Sequence, residues 1–259
     1  MDAIPSIAEL KIKLFADGAD LDGIRAMYAK PFIKGFTTNP TLMRKAGVKD
    51  YRAFAREAIA AVPDRPISFE VFADDHATME AQAMEIASWG ANVNVKIPIT
   101  NTKRESSIPL IGRLSRGGVM VNVTAMFTLE QVRGTLDVLA PETGAILSIF
   151  AGRIADSGRD PMPIMAEAVQ LAAASRPKAE VLWASPRELL NLFHAETCGC
   201  HIITMTNDLL NKLASVGKDL DRFSLETVEM FWRDAEAAGY DIGVPSVVPE
   251  LVLAEGTLR

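Results

Sequence analysis

The chain has 259 residues, 49% of them hydrophobic and 23% charged, and its 27 basic and 33 acidic residues give a formal net charge of −6. Such a chain can bury one large core, and its negative charge excludes a broad basic surface for nucleic acid or anionic membranes, so an anionic ligand needs a few local arginines. No apolar stretch approaches the roughly 18 residues of a membrane span, and residues 1–5 lack the layout of a signal peptide, so we expect a cytoplasmic protein without a membrane partner.

Short runs of β-forming residues recur along the chain, with segments of helical periodicity between them. These runs are rich in valine, isoleucine and phenylalanine, as is typical of strands. The predicted strands are residues 11–16, 32–36, 66–72, 92–97, 119–123, 145–150, 180–184 and 201–204.

Apolar side chains recur at helical spacing between the predicted strands, for example at Tyr51, Phe54 and Ile59. Asp50 precedes that segment and Thr128 precedes the one after the fifth strand, and both residue types are typical of helix starts. Eight strand–helix units in succession predict a (β/α)₈ TIM barrel of the α/β class, in preference to an open doubly wound sheet.

No linker or break in composition divides the chain, so residues 1–259 are predicted to form a single domain. Its barrel core covers about residues 11–216, and a C-terminal helix and tail cover about residues 224–259. The pattern of residues 225–238 predicts an amphipathic helix, and the tail after Gly243 is rich in valine and leucine. Because a monomer would have difficulty covering this apolar tail, we expect a homo-oligomer.

The fourth predicted strand contains a lysine in an apolar run. Side chains alternate between the two faces of a strand, so Lys96 shares a face with Asn92 and Asn94. An amine among apolar walls has its charged form disfavoured, which frees its lone pair for attack on a carbonyl. Two ordinary alternatives are a lysine that extends to solvent at the strand end and a lysine that pairs with a carboxylate.

The same alternation places polar side chains of several strands on the face that points into the barrel. They lie at the carboxyl ends of the strands, where the active sites of such barrels are built. Burying so many polar groups is costly, so packing alone explains the set poorly. The set includes Asp17, Ser68, Glu70, Lys96, Asn122, Thr124 and Ser148.

Six motifs contain these residues in the order and spacing of a known family. They are Phe-Ala-Asp at 15–17, Gly-Phe-Thr-Thr-Asn-Pro-Thr at 35–41, Phe-Glu-Val at 69–71, Val-Lys-Ile-Pro at 95–98, Asn-Val-Thr at 122–124 and Ser-Ile-Phe-Ala-Gly-Arg-Ile-Ala-Asp at 148–156. The chain resembles the transaldolase family over about residues 14–208. The resemblance implies a (β/α)₈ barrel and a Schiff-base enzyme of the pentose phosphate pathway in carbohydrate metabolism.

The resemblance also implies a mechanism. Lys96 attacks the carbonyl of a ketose phosphate, fructose 6-phosphate or sedoheptulose 7-phosphate, and carries a three-carbon dihydroxyacetone unit that an aldose phosphate then accepts. An iminium is an electron sink that stabilises the charge left by carbon–carbon cleavage. By the same resemblance, Asp17 takes the hydroxyl proton that triggers cleavage, and Glu70 and Thr124 hold the water that moves protons during imine formation.

Substrate-binding residues follow from the resemblance as well. The residues that hydrogen-bond the donor's hydroxyl groups are Asn39, Asn122 and Ser148. The residues that hold the phosphate are Arg153, Ser185 and Arg187, since guanidinium groups suit phosphate oxygens. A different distal anion, such as a sulfonate, stays open as an alternative.

Two other functions stay open. The first is an aldolase that releases the three-carbon unit to water, as fructose-6-phosphate aldolase does. Phe150, beside Ser148, and Glu70 favour a transferase, because short aldolases of the family tend to have tyrosine and glutamine at these positions.

The second alternative function is a non-catalytic barrel that binds sugar phosphates. Lys96 with Asp17 and Glu70 argues against it, since binding alone needs no amine that traps a carbonyl.

Two histidines and two cysteines near the last strand suggest a metal site: His194, Cys198, Cys200 and His201. Their spacing crosses from a helix into a strand and matches zinc-binding patterns poorly, so ordinary packing is the preferred interpretation. The cysteines are also too few and too close together for a disulfide framework. We therefore expect neither a metal nor a cofactor.

Overall fold

In a computed structural model, which describes residues 7–243, eight parallel strands close into a barrel in sequence order. The strands are β1 Lys13–Asp17, β2 Ile33–Thr37, β3 Ile67–Glu70, β4 Val93–Pro98, β5 Val121–Met126, β6 Ala145–Ile149, β7 Ala179–Trp183 and β8 Ile202–Thr206. All eight lie within a few residues of the predicted strands. The predicted (β/α)₈ barrel is confirmed.

Helices follow the strands and cover the outside of the sheet. Those of the barrel are α1 Leu21–Tyr28, α2 Pro40–Lys45, α3 Tyr51–Ala61, α4 His76–Ala87, α5 Ile108–Arg116, α6 Leu129–Val138, α7 Ala151–Asp156, α8 Met162–Ser175, α9 Leu190–Thr197 and α10 Asn207–Asn211, and a further helix, α11 Leu220–Ala238, follows them in the chain. The side chain of Asp50 accepts a hydrogen bond from Ala53 N at the start of α3, and Thr128 forms a capping box with Gln131 at the start of α6. Both predicted helix starts are confirmed.

Apolar side chains also fill part of the barrel interior, separately from the larger core between sheet and helices. Phe15, Ile146, Leu182 and Ile202 belong to this inner cluster. Gly35 faces the Phe15 ring so closely that a Cβ would lie 2.4 Å from the ring's Cζ, and only glycine leaves that space. Because apolar groups fill the interior, the polar side chains collect at the carboxyl ends of the strands.

The described chain forms two compact units, one ending at Val216 and the other beginning at Gly217. In the second unit, α11 begins five residues before the predicted start at 225, because Asp219 caps it by accepting from Arg222 N. The helix ends at Gly239, whose φ of 66° is left-handed. The predicted apolar tail after Gly243 lies outside the described residues. Across residues 7–243, no helix is both long and apolar enough to cross a membrane.

Candidate active site

A cavity of about 450 Å³ opens at the carboxyl ends of the barrel strands. All of the predicted site residues except Asn122 line it. They come from the ends of β1, β3, β4, β5 and β6 and from the segments after β2, β6 and β7. Parallel strands of a closed barrel end on the same rim, so side chains far apart in sequence meet there.

Lys96 lies at the floor of this cavity. Its side chain is 8% exposed, its Nζ donates a hydrogen bond of 2.9 Å to the Thr38 carbonyl, and it lies 3.5 Å from Glu70 Oε2. The register of β3 on β4 places Glu70 directly beside Lys96. The lysine therefore does not extend to solvent, but it does pair with a carboxylate, as one of the ordinary alternatives allowed.

Asp17 lines the same cavity at the end of β1 and is held by neighbouring hydroxyl and amide groups. Its Oδ1 accepts from Thr37 Oγ1 at 2.7 Å, and Asn39 Nδ2 lies 3.3 Å from its Oδ2. Thr204 lies 2.6 Å from the Thr37 hydroxyl, which already donates to Asp17, so Thr204 is the donor between them. Burial raises the pKa of Asp17, against the opposing effects of Lys96 and of these hydrogen bonds.

Glu70 has the same kind of perturbation. Burial raises the pKa of its carboxyl group, the charge and hydrogen bond of Lys96 lower it, and the charge of Asp17 raises it. Two acids of raised pKa beside one buried amine are typical of proton-transfer sites.

A chain of hydrogen bonds crosses the barrel beneath the cavity. Ser148 Oγ donates to Asn122 Oδ1 at 2.7 Å, and Asn122 Nδ2 donates to Ser68 Oγ at 3.1 Å. Asn122 is fully buried and does not line the cavity, whereas its hydrogen-bond partner Ser148 does. Its predicted contact with substrate stays a prediction.

The end of β5 departs from regular strand geometry. The register against β6 shifts between Val123 and Met126, and Ala125 has a left-handed φ of 58°. Thr124, within this irregular stretch, lines the cavity, and its buried Oγ1 makes no hydrogen bond to another described residue. A buried hydroxyl without a protein partner is suited to holding a ligand or water.

Two arginines lie on one side of the cavity. Arg187 forms an ion pair with Asp156, with its Nε 3.1 Å from both carboxylate oxygens, and this pairing lowers the pKa of Asp156. Arg153 has its guanidinium 5.4 Å from the centre of the Phe150 ring, and within residues 7–243 it forms no ion pair. Of the two, Arg153 is the more available to an anion.

Ser185 reaches the cavity through an unusual backbone conformation. Trp183, two residues earlier, packs outward against the ring of His194, so strand alternation does not bring Ser185 inside. Instead Ser185 has a left-handed φ of 59°. Its carbonyl lies against Gly152, where a Cβ would come within 1.6 Å of the oxygen, so the Gly-Arg pair of the 148–156 motif needs its glycine here.

Sequence reasoning missed Thr37, Thr38 and Thr204 as members of the site. Thr37 and Thr38 belong to a motif that the resemblance used, and alternation along β2 points the Thr37 side chain inward. Thr204 has no comparable signal, because its role depends on β8 closing against β1.

The histidines and cysteines considered for a metal site have ordinary contacts. Cys198 and Cys200 are free and buried. His201 Nδ1 accepts from Val181 N at 3.0 Å, and His194 packs against Trp183.

Comparison with known proteins identifies the family of this chain. The model described as "Transaldolase/Fructose-6-phosphate aldolase" matches residues 14–253. The chain belongs to this family. The resemblance drawn from the six motifs is thereby confirmed, and the chain is an aldolase-type enzyme of the transaldolase/fructose-6-phosphate aldolase family.

Individual relatives of the family agree. A "Probable transaldolase" of Dehalococcoides mccartyi is 34% identical over 202 residues, which cover 78% of this chain and 90% of the relative. Another "Probable transaldolase", from Thermoanaerobacter sp., is 33% identical over 225 residues, covering 86% of this chain and 98% of the relative.

Solved structures share the barrel at much lower sequence identity. Dihydrodipicolinate synthase from Rhodopseudomonas palustris superimposes with a TM-score of 0.55 at 13% identity, covering 92% of this chain and 83% of that chain. A lactate oxidase from Pediococcus acidilactici gives a TM-score of 0.54 at 14% identity, covering 76% and 63%. At such identities the similarity concerns the fold alone.

Proposed function

We propose that the protein is a cytoplasmic transaldolase of the pentose phosphate pathway. It transfers a dihydroxyacetone unit from fructose 6-phosphate or sedoheptulose 7-phosphate to an aldose phosphate through a Schiff base on Lys96. The observation that carries the proposal is the buried Lys96 amine 3.5 Å from the Glu70 carboxylate, in a cavity of about 450 Å³ at the carboxyl ends of the strands. Membership of the transaldolase/fructose-6-phosphate aldolase family supports it.

Imine formation needs proton transfers that Glu70 is placed to make. As Lys96 Nζ adds to the ketose carbonyl, the nitrogen loses protons and the former carbonyl oxygen leaves as water. In our proposal Glu70 moves these protons through a water that the free Thr124 hydroxyl also binds. Because burial raises the pKa of Glu70, its carboxyl group can both accept and donate a proton nearer to neutral pH than an exposed glutamate.

Cleavage of the carbon–carbon bond is assigned to Asp17. It removes the proton of the hydroxyl next to the breaking bond, an aldehyde departs, and the electron pair moves into the iminium to leave an enamine on Lys96. The hydrogen bonds from Thr37 and Asn39 hold the carboxylate in one orientation for this step. Addition of the acceptor aldehyde runs the same steps in reverse.

The aldolase alternative differs in the fate of the enamine. Phe150 lines the cavity with an apolar ring, which packs 5.8 Å from the ring of Phe127. A ring without a hydroxyl donates no proton and keeps water away, so we infer that the enamine survives until an aldehyde arrives. This favours transfer over release of dihydroxyacetone.

Product analysis tests the proposed function. With fructose 6-phosphate and erythrose 4-phosphate we expect sedoheptulose 7-phosphate, and with fructose 6-phosphate alone we expect little dihydroxyacetone. In Phe150→Tyr the ratio of dihydroxyacetone to transfer product rises, while Phe127→Tyr, which adds a hydroxyl to the neighbouring ring outside the cavity lining, keeps the wild-type ratio. If the wild type released dihydroxyacetone equally with and without the acceptor, the protein would be an aldolase. If it converted no substrate at all, the alternative of a non-catalytic barrel that binds sugar phosphates would be favoured.

The distal anion of the substrate is assigned to Arg153 and Arg187. We expect Arg153→Gln to raise the KM for phosphorylated ketoses roughly 10- to 100-fold, because a charge-assisted hydrogen bond is lost. The KM for unphosphorylated analogues should change little. Arg187→Gln has the smaller effect because Asp156 already holds that guanidinium. Arg113→Gln, which removes only a surface ion pair with Glu80, is the matched control. Equal losses for both substrate classes would place the arginines outside the anion site.

We also propose a homo-oligomer. The support is α11, which carries several exposed large apolar side chains, Leu220, Leu225, Val228, Phe231 and Trp232 among them. Such a surface is typical of a subunit contact. Light scattering at working concentration measures the mass, and a monomeric value would contradict this part of the proposal.

A further inference from the structure

One side chain of α3 holds the backbone of Glu70 from outside the barrel. The Tyr51 hydroxyl accepts a hydrogen bond of 2.9 Å from Glu70 N–H and donates one of 3.0 Å to the Glu70 carbonyl. A single hydroxyl therefore satisfies both backbone groups at the end of β3.

These bonds replace a step of the β-ladder. β2 and β3 pair only as far as Thr37 and Ser68, and Thr38 N donates to the Ser68 carbonyl at 3.2 Å. In a parallel ladder, a residue whose N–H binds one residue offers its carbonyl to the N–H two positions further along the same partner strand. The Thr38 carbonyl is thus the regular acceptor for Glu70 N–H.

Because Tyr51 takes this N–H, the Thr38 carbonyl is free for another donor. That donor is Lys96, whose Nζ lies 2.9 Å from the Thr38 oxygen and 3.5 Å from Glu70 Oε2. The carbonyl that loses its ladder bond from Glu70 N–H is therefore the same carbonyl that accepts from Lys96.

The Tyr51 ring is fixed by aromatic neighbours on the outer face of the sheet. It packs against Phe72 with ring centres 4.6 Å apart, against Trp89 at 5.5 Å and against Phe69 at 6.1 Å. Burial holds the pKa of the Tyr51 hydroxyl well above its usual value, so the group stays protonated and remains a donor throughout the working pH range.

We propose that Tyr51 is a positioning residue for imine formation: its hydroxyl takes Glu70 N–H out of the ladder, which keeps the Thr38 carbonyl available to Lys96 and holds Lys96 beside Glu70. This inference rests on the proposed function, because it concerns the step in which Lys96 and Glu70 act together. Tyr51 itself does not line the cavity, so we assign it no contact with substrate.

Tyr51→Phe keeps the ring and removes only the hydroxyl. We expect Glu70 N–H to return to the Thr38 carbonyl and displace Lys96, so that borohydride trapping of the imine with a ketose phosphate slows about tenfold or more. Product formation from an imine that has already formed stays close to wild type, because Asp17 is untouched.

The pH profile of trapping separates positioning from simple loss of stability. The charges that face Glu70 are Lys96, which lowers its pKa, and Asp17, which raises it. When Lys96 moves away, its lowering effect weakens and the pKa of Glu70 rises further. Ionised Glu70 is then lost at a higher pH, so the acid limb of the trapping rate moves to higher pH in Tyr51→Phe.

The matched control is Tyr28→Phe, which removes a tyrosine hydroxyl bonded to Asp64 on the surface. It should leave both the trapping rate and its pH profile unchanged. Wild-type trapping in Tyr51→Phe, or slower trapping with an unshifted acid limb, would overturn the inference.

A crystal structure of Tyr51→Phe gives a readout that needs no activity. A hydrogen bond from Glu70 N to the Thr38 carbonyl, with Lys96 Nζ moved from that oxygen, supports the inference. An unchanged Lys96–Thr38 contact overturns it. If wild-type protein forms no imine at all, the proposed function fails, whereas this structural result still decides what Tyr51 positions.

Discussion

We expect Lys96→Arg to abolish both turnover and borohydride trapping. The substitution keeps the positive charge beside Glu70, but a guanidinium does not form an imine with a ketose under these conditions. Loss of a covalent nucleophile lowers kcat on the order of 10⁵-fold or more. In the wild type, we expect reduction in the presence of fructose 6-phosphate to attach a three-carbon fragment to Lys96. Mass spectrometry would locate the fragment, because trypsin does not cleave after a modified lysine.

Two variants make this result specific. Lys178→Arg changes a lysine that pairs with Glu142 on the surface, and it should trap and turn over like the wild type. Lys96→Met removes the amine without adding the bulk of arginine, so a loss shared by both Lys96 variants is not a packing effect. A fragment on any other lysine, or turnover in a folded Lys96 variant, would contradict the assignment.

We expect Asp17→Asn to separate cleavage from imine formation. The amide keeps a partner for Thr37 but removes no proton from the substrate hydroxyl, so carbon–carbon cleavage slows roughly 10²- to 10⁴-fold. Imine formation continues because Lys96 and Glu70 are unchanged. We therefore expect trapping with fructose 6-phosphate to attach the intact six-carbon sugar in this variant, and mainly the three-carbon fragment in the wild type.

Glu70→Gln is the complementary variant. We expect it to slow the appearance of any trapped species while the fragment that does accumulate is three carbons long, since Asp17 still cleaves. The masses and rates of the trapped peptides measure both variants in one experiment. If Asp17→Asn and Glu70→Gln lose trapping and cleavage in equal proportion, the proposed division of labour between the two acids is wrong.

Much of this site could be predicted because strands alternate with a strict period of two. That period alone turns Asp17, Glu70, Lys96 and Ser148 toward the barrel interior, and helix-start signals at Asp50 and Thr128 are local in the same way. The order and spacing of the six motifs then indicated the family. Where the backbone leaves regular geometry, alternation fails: Ser185 reaches the cavity only through its left-handed conformation.

The sequence by itself determined the eight strands, the barrel and the face on which Lys96 lies, since these depend on periodicity and on residues adjacent in the chain. The tertiary structure decided which groups contact one another. Thr204 meets Thr37 only because β8 closes on β1, and Arg187 is held by Asp156 across two separate segments. In the sequence, Tyr51 is predicted only as one apolar residue of a helix, yet its hydroxyl forms hydrogen bonds with both backbone groups of Glu70. Such contacts depend on strand register and helix packing, which sequence periodicity does not specify.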